Sequence, residues 1–122
     1  MKLLKIFPGL LGTVTALWAS VAVSDTAPVT AFVEKTMVTS DSLRGGCMAA
    51  LSEDPAAVLP ACKSTWVTFS CDGTYTDPVR AYRMLDQAQL ALATGLAVQV
   101  TINDSKMHDG YCFASRIKVV TE

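Results

Sequence analysis

Few residues in this chain could do chemistry. Its single histidine, His108, lies in the polar stretch "NDSKMHDGYC" (103–112), between Asp104 and Asp109 and just ahead of Tyr111 and Cys112. An imidazole flanked by carboxylates suggests a metal site or a hydrolytic relay. One His with two turn aspartates supplies too few firm ligands for zinc. No strand–turn–helix elbow of the G-x-S-x-G kind presents a serine to His108, so a Ser-His-Asp triad lacks its usual context. Glu53 and Asp54 adjoin in sequence, whereas a glycosidase pair must flank one bond across a cleft. No Gly-rich phosphate loop or dinucleotide fingerprint is present. Asn103-Asp104-Ser105 matches a glycosylation sequon, which matters only in a eukaryotic secretory pathway. These residues argue against an enzyme, a metal site and a cofactor. A small hydrolase using His108 stands as the third-ranked reading.

The four cysteines, Cys47, Cys62, Cys71 and Cys112, carry the stronger signal. Their spacings of 15, 9 and 41 contain no C-x2-C knuckle, which disfavours zinc. An even count in a small exported domain reads as two disulfides, and oxidised cysteines are not nucleophiles. Export itself is read from the start of the chain. Lys2 and Lys5 form a basic n-region, Ile6 to Val23 is uncharged and mostly apolar, and Ala22 and Ser24 occupy the −3 and −1 positions of a cut before Asp25. This pattern predicts a signal peptide over residues 1–24, with a cut after Ala22 as the alternative site and an uncleaved anchor as the rival reading. Pro8, Gly9, Gly12 and the small-residue exit favour cleavage.

Residues 25–122 then form one small domain, expected to be secreted or periplasmic. They hold eight Lys and Arg against eleven Asp and Glu. That balance gives no electrostatic case for nucleic acid or anionic lipid as the main partner. No apolar run after Asp25 is long enough for a bilayer, so no membrane attachment is expected once the signal is removed. A domain this small buries a modest share of its surface, and each cross-link contributes roughly 2–4 kcal/mol.

The elements that must position these residues follow from pattern. Asp25–Pro28 reads as a loose leader. "TAFVEKTMVT" (30–39) reads as strand one and "SDSLRGG" as a turn. "CMAALS" is strand two, and "EDPAAVLPAC" a loop. In strand three, "STWVTFSC", Val67, Phe69 and Cys71 share one face and Trp66, Thr68 and Ser70 the other. Asp77-Pro78 opens a helix that Gly95 stops. Leu85, Ala88 and Leu92 are assigned to its inner face, flanked by Tyr82, Met84 and Ala91, with Arg80, Arg83, Asp86 and Gln89 outward. Val98, Val100 and Ile102 alternate in strand four, and "CFASRIKVV" is strand five. Three strands, one helix and two strands is the connectivity of a five-stranded OB-fold-like barrel, mainly β with one helix between strands 3 and 4. A generic α+β sandwich is the alternative.

In this order the 103–110 segment joins strands four and five, with Asp109-Gly110 as a tight turn. Cys47 and Cys71 would meet at the open end of the strand 2–3 hairpin, which leaves Cys62 for Cys112. That pairing is preferred. Cys47–Cys62 with Cys71–Cys112 and the third connectivity remain open. The loop is then first a pinned hairpin. Its second role would be ligand contact, since the loops 40–46 and 103–110 flank the usual ligand face of such barrels. There His108 and Tyr111, with Tyr75, are the candidate binding residues. Trp66 and Tyr82 are assigned to packing.

The block "YRMLDQAQLALATGLAVQVTI" resembles the helix-then-strand segment of binding subunits of bacterial AB-type toxins of the subtilase-cytotoxin and typhoid-toxin kind. The likeness is carried by Leu85, Gln87-Ala88, Thr94-Gly95, Val98 and Val100. It is also similar to small exported bacterial domains of unknown function, through Cys62, Gly95 and Asp109-Gly110-Tyr111-Cys112. The resemblance spans Trp66 to Val119. It implies an OB-fold, two disulfides, bacterial export and a ring of five subunits that binds glycans. The sugar-binding residues of those subunits lie largely in the N-terminal half, where this chain has no match, and none is carried over. The leading expectation is an exported, non-enzymatic module that binds a glycan or another extracellular molecule. The second is a stand-alone interaction domain for another exported protein.

Overall fold

A computed structural model describes residues 25–121 of the 122-residue chain. The signal-peptide assignment over residues 1–24 lies outside the described residues. Five strands, β1 (Thr26–Val38), β2 (Cys47–Leu51), β3 (Trp66–Thr68), β4 (Ala97–His108) and β5 (Tyr111–Val120), form a closed barrel in the order β1-β2-β3-β5-β4. Helix α1 (Pro78–Thr94) lies between β3 and β4. This is the OB-fold-like arrangement, not the sandwich. Closure depends on β1, which is long enough to serve two neighbours. Its first half pairs with β4 from Thr26↔Asn103 to Phe32↔Ala97, and its second half pairs with β2 from Val33↔Leu51 to Val38↔Cys47. The register shifts between Val33 and Lys35, and such a bulge lets a strand turn from one partner to the next.

The expected loose leader is therefore a correction. Ala27, Val29, Ala31 and Val33 alternate inward from the very start of β1, and Val29, Ala31 and Val33 are buried. Small side chains that read as featureless in sequence suit the crowded barrel interior. The Asp25 N–H also donates to Asp104 Oδ1 at 3.1 Å. Strand three is shorter than read. Val67 and Phe69 are fully buried, as expected of an inner face, but so are Thr68 and Ser70 on the other. Ser70 turns to a left-handed φ of 59° and ends the strand.

Asp77 caps α1 as predicted, accepting from the Val79 N–H at 2.7 Å. Gly95, at φ 73°, closes the helix with its N–H on the Ala91 carbonyl at 2.8 Å. Ala81, Leu85, Ala88 and Ala91 are buried against the barrel. Three alanines in this stripe let the helix backbone approach closely, while Leu85 and Met84 fill the remaining space. Leu92 and Tyr82 depart from expectation, since both are exposed. Leu92 has the right direction around the helix but sits in the last turn, where only Ala91 is still covered. Tyr82 stands at the edge of the buried stripe, beside a hollow lined by Asp41, Cys71 and Asp72.

Both disulfides pair as preferred, Cys47–Cys71 and Cys62–Cys112, closing separations of 24 and 50 residues. Loops of these lengths make each bond worth about 3–4 kcal/mol in the chain-entropy account. Two disulfides mark an oxidising compartment, periplasmic or extracellular. Among the described residues no helix is long and apolar enough to cross a membrane.

Candidate functional site

The segment read as a loop over 103–110 is mostly strand. β4 runs on to His108, and only Asp109 and Gly110 form the turn, with φ of 55° and 85°. Positive φ at both central residues is what a two-residue type I′ hairpin requires. The polar residues that suggested a loop are taken up by a bulge. Asn103 pairs with Phe113 and Met107 with Cys112, so Asp104, Ser105 and Lys106 have no opposite partner in β5. At the end of the bulge the Tyr75 hydroxyl donates to the Met107 carbonyl at 2.7 Å and accepts from the Met107 N–H at 3.2 Å. The Cys62–Cys112 bond and the Lys63 N–H on the Gly110 carbonyl, at 2.9 Å, fasten the hairpin to the β2–β3 connection. The pinned-hairpin reading describes this part of the molecule.

Beneath the hairpin lies a polar cluster that ties it to the loop between β1 and β2. The Ser70 hydroxyl donates to Asp72 Oδ1 at 2.8 Å and accepts from the Tyr75 N–H at 3.2 Å. His108 Nε2 lies 3.0 Å from the same hydroxyl and 3.6 Å from Asp72 Oδ1. A hydroxyl has one hydrogen. With that hydrogen on Asp72, Nε2 carries a proton and donates to Ser70. Burial pushes the Asp72 carboxyl up. The Thr74 N–H, the Ser70 and Thr74 hydroxyls and His108 pull it down further, and it settles below the ordinary Asp value of 3.8. The His108 ring also packs against Tyr75, with centroids 4.9 Å apart, and Tyr75 against Phe113.

Serine, histidine and aspartate thus meet, but their wiring differs from a catalytic triad. In a triad, Nε2 accepts the serine proton and the carboxylate holds Nδ1. Here the carboxylate lies on the Nε2 side, 3.6 Å from that nitrogen, and Ser70 is fully buried. The arrangement is that of a strut. It bears on Gly45, where an added Cβ would meet Thr68 Oγ1 at 2.5 Å and His108 Cδ2 at 2.7 Å. Thr68 Oγ1 donates to the Arg44 carbonyl at 2.7 Å, fixing that residue at a left-handed φ of 61°.

The strut supports an open groove on the barrel's outer face. Met37 of β1, Met48 of β2, Trp66 of β3, Arg44 of the β1–β2 loop and Tyr111 of β5 line a cavity of about 120 Å³. Met37 and Met48 are cross-strand partners in the β1–β2 ladder, and Met48 is buried beneath the groove. The Tyr111 ring has the Lys63 ammonium 5.0 Å and the Arg44 guanidinium 5.9 Å from its centroid, within reach of cation–π attraction. Asp109 Oδ2 approaches Arg44 Nε at 3.7 Å and Lys63 Nζ at 3.9 Å. Such exposed ion pairs contribute little to stability. A second hollow, of about 210 Å³, opens on the other side of the same loop beside Ser40, Asp41, Asp72 and Tyr82. It is larger, but its carboxylates are already engaged by the local turns, Asp41 by the Leu43 N–H and Asp72 by Ser70 and Thr74.

Of the three residues singled out in sequence, Tyr111 lines the groove, while His108 and Tyr75 belong to the strut. Trp66, assigned to packing, lines the groove, and Arg44, Lys63 and the methionine pair were missed. Trp66 could have been found by its alternation, since it stands opposite the core face of Val67, Phe69 and Cys71. No family model matches the chain, and no curated protein or solved structure was found similar to it.

Proposed function

We propose that this chain is an exported, non-enzymatic binding module that takes an extracellular ligand, a glycan foremost, in the groove between the β1–β2 loop and the β4–β5 hairpin. The observation that carries this reading is the lining of the groove. Trp66 and Tyr111 offer ring faces, Arg44 offers donors, Met37 and Met48 offer an adaptable apolar floor, and the Lys63 ammonium lies beside the Tyr111 ring. Rings with a few placed polar groups are what small-ligand and sugar sites need. The rigid hairpin and strut favour it too, because a preorganised rim loses little entropy on binding. Trp66 is the only tryptophan in residues 25–122, so its fluorescence reports on the groove directly. Titration with a glycan panel is expected to give a saturable change for at least one member. Absence of any change across the panel would remove the sugar version.

A second reading, contact with another exported protein or with further copies of this chain, is favoured by α1. Val79 and Leu90 are exposed on its outer side. The pentameric ring implied by the toxin-subunit resemblance would use a face of this kind. The native mass of the oxidised protein at micromolar concentration tests it: five copies support the ring, and a monomer removes it.

A further inference from the structure

We infer that the groove recognises an anionic group, a carboxylate, sulfate or phosphate, carried beside a ring or apolar surface of its ligand. The inference rests on the groove being the ligand site and adds the ligand's charge. Two cations, Arg44 and Lys63, face one carboxylate, Asp109, and at 3.7 and 3.9 Å neither is within hydrogen-bonding distance of it. Arg44 Nε is buried and has no hydrogen-bond partner among the described residues. The Arg44 side chain is 41% exposed overall, so its charge is open to a ligand and only the Nε atom is occluded with its bond unmade. The local positive excess is not a property of the whole surface, because residues 25–122 are acidic overall. The Arg44 backbone is also fixed in an unusual left-handed conformation by Thr68 and packed beside the His108–Gly45 contact. The guanidinium is therefore presented from a built loop. Both cations lie near the Tyr111 ring, and Trp66 lines the same groove, so the anion would sit at the edge of a stacked group.

The test uses the exported, oxidised protein and the isosteric pair benzoate and benzamide, with sulfate and phosphate as separate arms and sodium chloride at equal ionic strength as control. The Arg44 Nε–Hε and Trp66 indole N–H signals are followed by ¹⁵N NMR. Benzoate is expected to shift both, about fivefold or more tighter than benzamide, in keeping with a charge-assisted contact. Asp109→Asn keeps a residue suited to the left-handed turn and removes the competing carboxylate. It is expected to tighten benzoate by about threefold or more, and Lys63→Gln to weaken it. Sulfate or phosphate shifting Arg44 with the same dependence on Asp109 would support the inference and name the group. Benzamide binding as well as benzoate, with sulfate and phosphate no better than chloride, would overturn it, as would weaker binding in Asp109→Asn. A glycan that binds with no such charge dependence defeats this inference alone. Anion binding with an empty glycan panel leaves it standing without the sugar reading.

Discussion

At the residue scale, the Ser70–Asp72–His108 cluster bears on the β1–β2 loop through Gly45. Gly45→Ala places a methyl into Thr68 and His108 at a φ of 81°. It should destabilise the fold by about 2 kcal/mol or more, read as a lower urea midpoint. A loss under about 0.5 kcal/mol would mean that the strut does not press on the loop. Asp72 makes a prediction in pH. Its carboxyl is held below the ordinary 3.8, so its contribution is present above that value and fades as the pH falls through its lower folded-state value. Asp72→Asn should therefore cost about 1–2 kcal/mol at neutral pH, and the gap to the parent should narrow on acidification below about pH 4. A gap that stays constant, or widens in acid, would contradict the assignment.

At the scale of elements, the sequence was informative wherever a periodic pattern met a definite stop. The capped helix from Asp77 to Gly95, the Val98–Val100–Ile102 alternation and the Asp109-Gly110 turn were all legible. So was the cysteine pairing, once two strands were taken as antiparallel neighbours. Two things were not legible. The start of β1 includes Ala27 and Pro28, residue types depleted in strands, and barrel closure overrides them. The bulge at Asp104–Lys106 is polar because it leaves the ladder, and local composition cannot tell such a bulge from a loop. Leu92 shows the same limit, since helical periodicity gives a direction but not where the barrel beneath the helix ends. The groove could be only half read. Tyr111 followed from its place beside Cys112, but Arg44 and Lys63 come together across 19 positions of sequence only through the hairpin that both loops border. The Tyr75 hydroxyl is the element-scale test. It holds both polar groups of Met107 at the end of the bulge. Tyr75→Phe should lower stability by about 1–2 kcal/mol and speed amide exchange in the β4–β5 hairpin ahead of the rest of the barrel. Unchanged exchange there would mean that the ladder alone holds the bulge.

At the scale of the whole molecule, a closed barrel with two disulfides is a rigid frame that leaves little sheet edge to pair with other chains. The proposed recognition would then fall to side chains on the outer face and loops, where the groove of Trp66, Tyr111 and Arg44 combines two rings with a cation. The proposed ring would use the exposed side of α1 and multiply weak single sites through avidity. The measurement that bears most directly on the central claim pairs two variants against the first glycan or benzoate-type ligand that changes Trp66 fluorescence. Tyr111→Ala removes a wall of the groove, and Tyr82→Ala removes the aromatic of the neighbouring hollow. The account predicts that Tyr111→Ala weakens binding about tenfold or more, as loss of a stacking ring should, and that Tyr82→Ala binds as the parent does. Binding that survives Tyr111→Ala and is lost in Tyr82→Ala would place the site on the other side of the loop and contradict the account.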